Sequence, residues 1–152
     1  MIREADEKDL KGLLELYLHL HETSVPETDE KLKNTWNKIL GNSDYHLIVA
    51  EEDGRIVSSC TCIVVPNLTR GGLPYALVEN VVTHSDYRGR HLASACLEYA
   101  RKIAEENECY KIMLITGTHD PKTHDFYRNA GYSSDGKTAY YRLLKEVNWK
   151  NV

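Results

Sequence analysis

Residues 81–93 read Val81-Val82-Thr83-His84-Ser85-Asp86-Tyr87-Arg88-Gly89-Arg90-His91-Leu92-Ala93. An apolar run leads into a short polar stretch. A basic turn containing glycine then opens a helix-forming sequence. A strand, a turn and a helix start in that order can aim successive backbone N–H groups at one point, and the helix N-terminus adds its positive end. The pattern suits the phosphates of a cofactor. It is not the mononucleotide phosphate loop, because no Gly-Lys-Ser/Thr follows, and the glycine spacing of the dinucleotide fingerprint is absent. Taken alone, a basic turn between a strand and a helix also fits an ordinary solvated connection. A second stretch downstream adds weight: Asp120-Pro121-Lys122-Thr123-His124-Asp125-Phe126-Tyr127-Arg128-Asn129-Ala130-Gly131-Tyr132.

The elements around these segments follow from periodicity. Ile2 to Ala5 is a short strand. Asp6 or Asp9 can cap a helix whose apolar stripe is Leu10, Leu13, Leu14, Tyr17 and Leu20. After a polar loop, a second helix turns Leu32, Trp36, Ile39 and Leu40 inward and stops at Gly41. Strands are predicted at His46 to Glu51 and Ile56 to Val65, joined by a Glu52-Asp53-Gly54-Arg55 hairpin turn. A loop covers Pro66 to Pro74, and Tyr75 to Thr83 is the strand that feeds the basic turn. The longest helix runs from Leu92 to Asn107. Lys111 to Ile115 is a buried strand, Lys122 to Ala130 a helix ended by Gly131, and Tyr132 and Ala139 to Leu144 are terminal strands. The order is that of an α/β layer fold on a mixed sheet.

With 152 residues, 28% of them charged and 41% hydrophobic, the chain has the size and balance of one globular domain spanning residues 1–152. A net charge of -4 argues against a nucleic-acid partner. No apolar run approaches the length of a membrane span, so no membrane partner is expected and a cytoplasmic location is. Cys60, Cys62, Cys96 and Cys109 lack zinc-site spacing, and all four are expected to be buried, reduced and structural. His119 and His124 stand five apart. That spacing does not converge on a helix, and Asp120-Pro121 reads better as a cap with proline in the first turn, so no metal is expected.

Together the two segments resemble the GNAT superfamily of acetyl-CoA-dependent N-acetyltransferases. That family's cofactor motif, Arg/Gln-x-x-Gly-x-Gly/Ala, corresponds to Arg88 through Ala93, with His91 where the family usually has glycine. Its later motif, Asn-x-x-Ala-x-x-Phe-Tyr-x-x-x-Gly-Phe/Tyr, corresponds to Asp120, Thr123, Phe126, Tyr127, Gly131 and Tyr132. The resemblance covers nearly the whole chain. It implies a mixed central sheet flanked by helices and splayed between its fourth and fifth strands, here Tyr75–Thr83 and Lys111–Thr116, with acetyl-CoA in the gap. It further implies that the backbone of Val81, Val82 and Thr83 pairs with the pantetheine arm. The N–H groups of Gly89, Arg90, His91, Leu92, Ala93 and Ser94 would face the pyrophosphate, with Arg88 or Arg90 near the phosphates and Asp120 at the cofactor site. Because a Cβ at His91 disfavours positive φ, a slightly altered cradle is expected.

Acetyl transfer to an amine needs a neutral amine, stabilisation of charge developing on the thioester oxygen and a proton for the departing thiolate. By resemblance Tyr127 supplies that proton; its other reading is a packing residue near a helix end. Glu79 lies in Leu77-Val78-Glu79-Asn80-Val81-Val82, where alternation puts Glu79, Val81 and Thr83 on one face and Asn80 and Val82 on the other. A carboxylate inside such a strand is costly unless paired or functional. The resemblance makes Glu79 a base, acting directly or through water; the other reading is a carboxylate bonded to a neighbouring strand or arginine. The loops His19 to Glu22 and Asn67 to Arg70, with Tyr75, Asn80 and Tyr140, would flank the acetyl end. Arg70 is available to an acidic group of the acceptor. Val78 to Val82 and Cys109 to Ile112 are similar to segments of the glucosamine-6-phosphate N-acetyltransferases, which commonly form intertwined dimers, so a homodimer is among the expected partners. Asn80 stands where that group usually has aspartate, and the connection from Lys111 to Tyr127 looks longer than theirs. The acceptor is expected to be a small-molecule or peptide amine. The competing expectations are a noncatalytic acyl-CoA-binding or regulatory domain, and an interaction domain on the same fold.

Overall fold

In the computed structural model, which describes residues 1–145, five strands form one sheet in the order β1-β2-β3-β4-β5. The strands are β1 (Ile2–Glu4), β2 (Tyr45–Glu52), β3 (Arg55–Val65), β4 (Tyr75–Thr83) and β5 (Ile112–Leu114). The first three pairings are antiparallel and the last, β4 with β5, is parallel. The helices are α1 (Leu10–Leu16), α2 (Glu30–Leu40), the four-residue turn α3 (Thr69–Gly72), α4 (Leu92–Glu106) and α5 (Pro121–Asn129). This is the expected mixed sheet flanked by helices.

Each face of the sheet carries its own core. On one, Cys96, Leu97, Ala100, Ile103 and Ala104 of α4 pack against Ile48, Val57, Cys60, Cys62, Ala76 and Val78. On the other, Leu13, Leu16 and Trp36 cover Leu47, Val49, Ile56 and Val82. Period-2 alternation along β2 explains the division: Ile48 and Ala50 belong to the first core, Leu47 and Val49 to the second. Cys60, Cys62 and Cys96 are buried in the first core and free. Burial pushes the Cys62 thiol up to about 12 and the Cys96 thiol up to about 11, so neither is a nucleophile at neutral pH. Cys109 is free but only half-buried, against the expectation that all four are buried.

Pairing between β4 and β5 is confined to Ala76–Ile112, Leu77–Met113 and Val78–Leu114. Beyond Val78, β4 keeps β3 on one side and, among the described residues, has no strand on the other. β5 is not the buried strand expected: at the sheet edge Met113 is exposed and Ile112 and Leu114 are only half-buried. A bulge lies at the same point. Ser59 faces Val82 and Thr61 faces Glu79, so two steps along β3 span three along β4. The extra residue is Asn80, at φ 53. A bulge resets the pleat. Val81 therefore joins the α4 core with Val78, and Val82 joins the α1–α2 core. The expectation that Glu79 and Val81 share a face is overturned for this reason.

Other boundaries also shift. α1 ends at Leu16 and gives way to a 3₁₀ turn over Tyr17–His19, so Leu20 lies beyond the helix. Neither Tyr132 nor residues 139–144 form a strand: the sheet ends at β5, and Tyr140 and Leu144 are 92% and 88% exposed, with no strand to pair with among the described residues. A period-2 pattern specifies a strand only when a partner edge is available.

A charged cluster pins the chain start to the sheet. Arg3 donates to Asp9 at 2.5 and 2.9 Å and to Glu51 at 2.6 Å. Asp9 also accepts the Asp6 N–H, closing a capping box on the 3₁₀ turn before α1. At the start of α1 Asp9 makes no side-chain cap; its carboxylate is turned to Arg3 and Asp6 instead. The Arg3 guanidinium holds the Asp9 carboxyl below its ordinary 3.8. The folded value is the lower one, so this stabilisation is complete above the unfolded value and is lost as pH falls through the folded one. Arg3→Met leaves Asp9 buried without its cation and should cost about 3 kcal/mol. Calorimetry at pH 7 should show Tm lowered by roughly 6–12 °C, with the gap to wild type closing below about pH 4 as Asp9 protonates.

Candidate active site

The free edge of β4 and the start of α4 meet at one end of the sheet. A 3₁₀ turn, Ser85–Tyr87, joins them. The chain then passes through Gly89 at φ 76 and His91 at φ 60 before α4 begins. His91 thus adopts the left-handed backbone that its Cβ was expected to disfavour. Neither side chain nor acidic residue caps the first turn of α4. The N–H groups of residues 89–94 donate to no acceptor among the described residues; the first to do so is Ala95, to the His91 carbonyl. Unsatisfied donors at the N-terminus of a 15-residue helix are the setting in which an anion cradle is expected.

The two arginines of the turn are not equivalent. Arg90 is committed to the protein: it donates to Glu52 at 3.3 Å and to the Asp86 carbonyl at 3.5 Å, and its guanidinium lies 4.8 Å from the Tyr87 ring centroid. It ties the turn to the β2–β3 hairpin. Arg88 makes one long side-chain contact, from Nε to the Thr83 carbonyl at 3.4 Å, and its terminal nitrogens make no hydrogen bond or ion pair among the described residues. Val81, Val82 and Thr83 line the unpaired stretch of β4. The Thr83 hydroxyl lies 2.8 Å from the Ser58 hydroxyl. An extended ligand can add to such an edge as a strand would.

Glu79 is exposed, so the desolvation cost expected inside an apolar strand does not arise. It makes no hydrogen bond or ion pair among the described residues. The bulge turns it out where β4 parts from β5, beside Asn80, which is also exposed. Tyr127 is half-buried on α5, 5.0 Å from Phe126 and 6.3 Å from Tyr132 between ring centroids, and it packs on the α4 core. Burial raises its phenol above the ordinary 10, with Cys60 adding to the shift. Tyr127 is therefore protonated throughout the neutral range, and passing its proton to a thiolate of ordinary pKa, about 8.5, is uphill unless the bound cofactor lowers the cost. Asp120 caps α5 by accepting the Lys122 N–H at 3.0 Å, with Pro121 in the first turn.

The remaining expected contacts are scattered. Arg70 stands at the far end of β4, its guanidinium 5.8 Å from the Tyr110 ring, and Lys111 lies 5.3 Å from the Tyr75 ring. Tyr140 is exposed and joins no group near the gap. The His124 ring lies 2.9 Å from the Thr118 carbonyl. Periodicity missed three features. The bulge had a local signal, since asparagine enters the left-handed region far more readily than most residues. The buried Tyr132 hydroxyl, which has no hydrogen-bond partner among the described residues, and the His19–His84 ring pair, 4.1 Å apart, had none. They join elements remote in sequence.

A Cβ added at Gly89 would meet nothing within 4 Å, so the requirement for glycine there is conformational. Gly89→Ala should raise the acetyl-CoA dissociation constant a few-fold, while Gly89→Pro, whose φ is fixed near -65°, should raise it more than tenfold, read by calorimetric titration. His91→Gly relieves the left-handed strain and should stabilise the protein by about 1 kcal/mol without weakening acetyl-CoA binding, read by thermal unfolding and the same titration.

Comparison with known proteins agrees with this geometry. Residues 10–132 match the model of the acetyltransferase (GNAT) family. The chain is similar to glucosamine 6-phosphate N-acetyltransferase of Trypanosoma brucei brucei, 30% identical over 132 residues, which is 86% of this chain and 87% of that one. It is similar to the enzyme of the same name from Arabidopsis thaliana, 28% identical over 82% of this chain and 83% of that one. Among solved structures, a putative acetyltransferase from Agrobacterium tumefaciens superposes with a TM-score of 0.86 at 37% identity, covering 94% of this chain and 99% of that one. The family uses acetyl-CoA as acetyl donor, and the unpaired edge of β4 with the uncapped start of α4 fits its pantetheine and phosphates; the chain belongs to the GNAT family of acetyltransferases and is an N-acetyltransferase.

Proposed function

We propose that this enzyme acetylates the primary amine of an amino-sugar phosphate, by direct attack in a ternary complex. The observation that carries the reading is the coincidence of the β4 bulge, the parting of β4 from β5 and the uncapped cradle at α4. Acetyl-CoA supplies the thioester. The cradle fixes its phosphates, and the β4 edge from Glu79 to Thr83 orients the arm. Glu79, exposed beside the bulge, draws the proton from the ammonium directly or through water. Tyr127 returns a proton to the leaving sulfur. The acceptor class is supported by the curated relatives, which bear the name glucosamine 6-phosphate N-acetyltransferase over more than four-fifths of this chain. Exposed residues His21 to Asp29 follow His19, which meets Ser85 at the end of β4, and would give the sugar its surface. Substrate choice resides in such loops rather than in the sheet.

A homodimer belongs to the same proposal. Tyr140, Tyr141, Leu143 and Leu144 are exposed, apolar area that a second copy would cover.

The test is thiol release with glucosamine 6-phosphate, glucosamine, an aminoglycoside and spermidine as acceptors. The phosphorylated sugar should give the highest kcat/KM, by at least tenfold over glucosamine. Equal rates on both sugars would remove the phosphate from the reading, and no turnover with any amine beside firm acetyl-CoA binding would favour a noncatalytic acyl-CoA-binding domain. Tyr127→Phe should lower kcat by roughly 10²-fold, the usual scale for a general acid, with the acetyl-CoA dissociation constant changed less than twofold. Glu79→Gln should lower kcat most at low pH, where the amine is most protonated. Light scattering should give twice the chain mass, and the chain mass once Tyr140 and Leu144 are both changed to Asp.

A further inference from the structure

We propose that His84 and His19 position the acetyl-CoA cradle by accepting N–H groups of the turn that leads into it, and that they do so only while their rings are uncharged. The proposal rests on the cradle reading above and adds to it two residues that touch no reacting atom.

His84 is the hinge between β4 and the turn. Its own N–H donates to the Val57 carbonyl at 2.9 Å, which fastens it to β3, and its carbonyl accepts the Tyr87 N–H at 2.9 Å. The side chain is 8% exposed. Its Nδ1 lies 3.2 Å from the Asp86 N–H, the cap of the Ser85–Tyr87 turn. Its Nε2 lies 3.0 Å from a terminal nitrogen of Arg55. His19, from the 3₁₀ turn after α1, stacks on it at 4.1 Å and presents its own Nδ1 to the Ser85 N–H at 3.4 Å. Tyr87 meets His84 edge-on at 5.4 Å and carries Arg90 on its ring, so the chain of contacts ends in the cradle itself. The pair therefore couples three elements: the start of the α1–α2 connection, the end of β4 and the entry to α4.

The donor and acceptor roles fix the protonation state. Both nitrogens of His84 face donors, since a backbone N–H and a guanidinium can only donate. A neutral ring carries one proton and can accept from one of the two. A protonated ring can accept from neither and would face Arg55 with like charge. His19 loses its contact with the Ser85 N–H in the same way if the second proton lands on Nδ1. The charged groups facing His19 and His84 are Arg55 from β3, with Arg88 and Asp86 from the turn, two cations against one anion. Burial first, then His84 and Arg88, hold His19 below its ordinary 6.5, with Asp86 opposing and Arg55 adding to them. For His19 the folded value is the depressed one, so its contribution is complete above about pH 6.5 and is lost as pH falls through that folded value. Acid loosens the turn and, with it, the aim of the cradle.

Two variants test this. In His84→Asn the side-chain oxygen can accept the Asp86 N–H from the same cap position but cannot titrate near neutrality. His84→Phe keeps a ring beside His19 and has no acceptor. Calorimetric titration with acetyl-CoA at pH 7.5 should give a dissociation constant within about twofold of wild type for His84→Asn and at least fivefold weaker for His84→Phe. Between pH 7.5 and 5.5 wild type should lose at least threefold more affinity than His84→Asn; the comparison cancels the titration of the ligand's own phosphate monoester, which falls near pH 6. Equal losses in the two proteins, or wild-type affinity in His84→Phe at pH 7.5, overturn the proposal. A ligand-free readout separates it from the cradle reading. The backbone amide signal of Asp86 should follow a ring titration in wild type and stay flat in His84→Asn. A flat wild-type signal overturns the positioning role even if acetyl-CoA binds, and failure of wild type to bind acetyl-CoA at any pH overturns the cradle reading while the amide signal still judges the histidines.

Discussion

Among the described residues Val78 is the last of β4 with a strand on both sides, and the proposed site depends on the loss of that second partner. Backbone N–H and C=O groups must find partners when water is withdrawn. From Glu79 to Thr83 one edge of β4 is paired to β3 and the other is open. An open edge is ordinarily a liability for pairing with other chains; here it is the surface on which an extended cofactor arm can lie. The bulge at Asn80 falls at the parting point and changes which residues face which core. Without the extra residue, Val81 would face the α1–α2 layer and Val82 the α4 layer. With it, both valines fill the cores they occupy, and Glu79 is turned out to the opening.

The cradle is a consequence of the same end of the sheet. The chain leaves β4, makes one tight turn and must start α4 where the helix can pack its Cys96, Leu97 and Ala100 face on the sheet. That path forces two left-handed residues, Gly89 and His91, and forbids a conventional cap. Left-handed backbone at a non-glycine residue costs of order 1 kcal/mol or more and persists only where surrounding structure over-determines it. Here Arg90, tied to Glu52 and stacked on Tyr87, and His84, fastened to Val57 and Asp86, supply that determination. If the uncapped donors that result bind the cofactor phosphates as proposed, the strain and the function share one cause.

The chemistry asks little of the protein beyond placement. No cluster of metal-binding side chains occurs among the described residues, and the core thiols are held protonated by burial. In the proposed reaction, catalysis rests on positioning the amine against the thioester and on two proton transfers. The exposed carboxylate of Glu79 and the half-buried phenol of Tyr127 sit in unlike environments, and burial of Tyr127 keeps it in the form that can donate.

The sequence by itself determined the local elements and their order. Apolar spacing marked α4 and β4, the Asp53-Gly54 turn marked the hairpin, and the basic turn before Leu92 marked the phosphate end, because each depends on interactions within a few residues. The motifs also carried the family. Tertiary structure alone decided what depends on neighbours: that residues 139–144 have no strand to join within the described chain, that β4 changes face at Asn80, that Arg90 is bound to Glu52 while Arg88 makes only a long contact to the Thr83 carbonyl, and that His19 meets His84 across 65 positions of sequence. Period-2 alternation assumes an unbroken ladder, and a bulge is set by the register of the partner strand, which no single stretch of sequence contains.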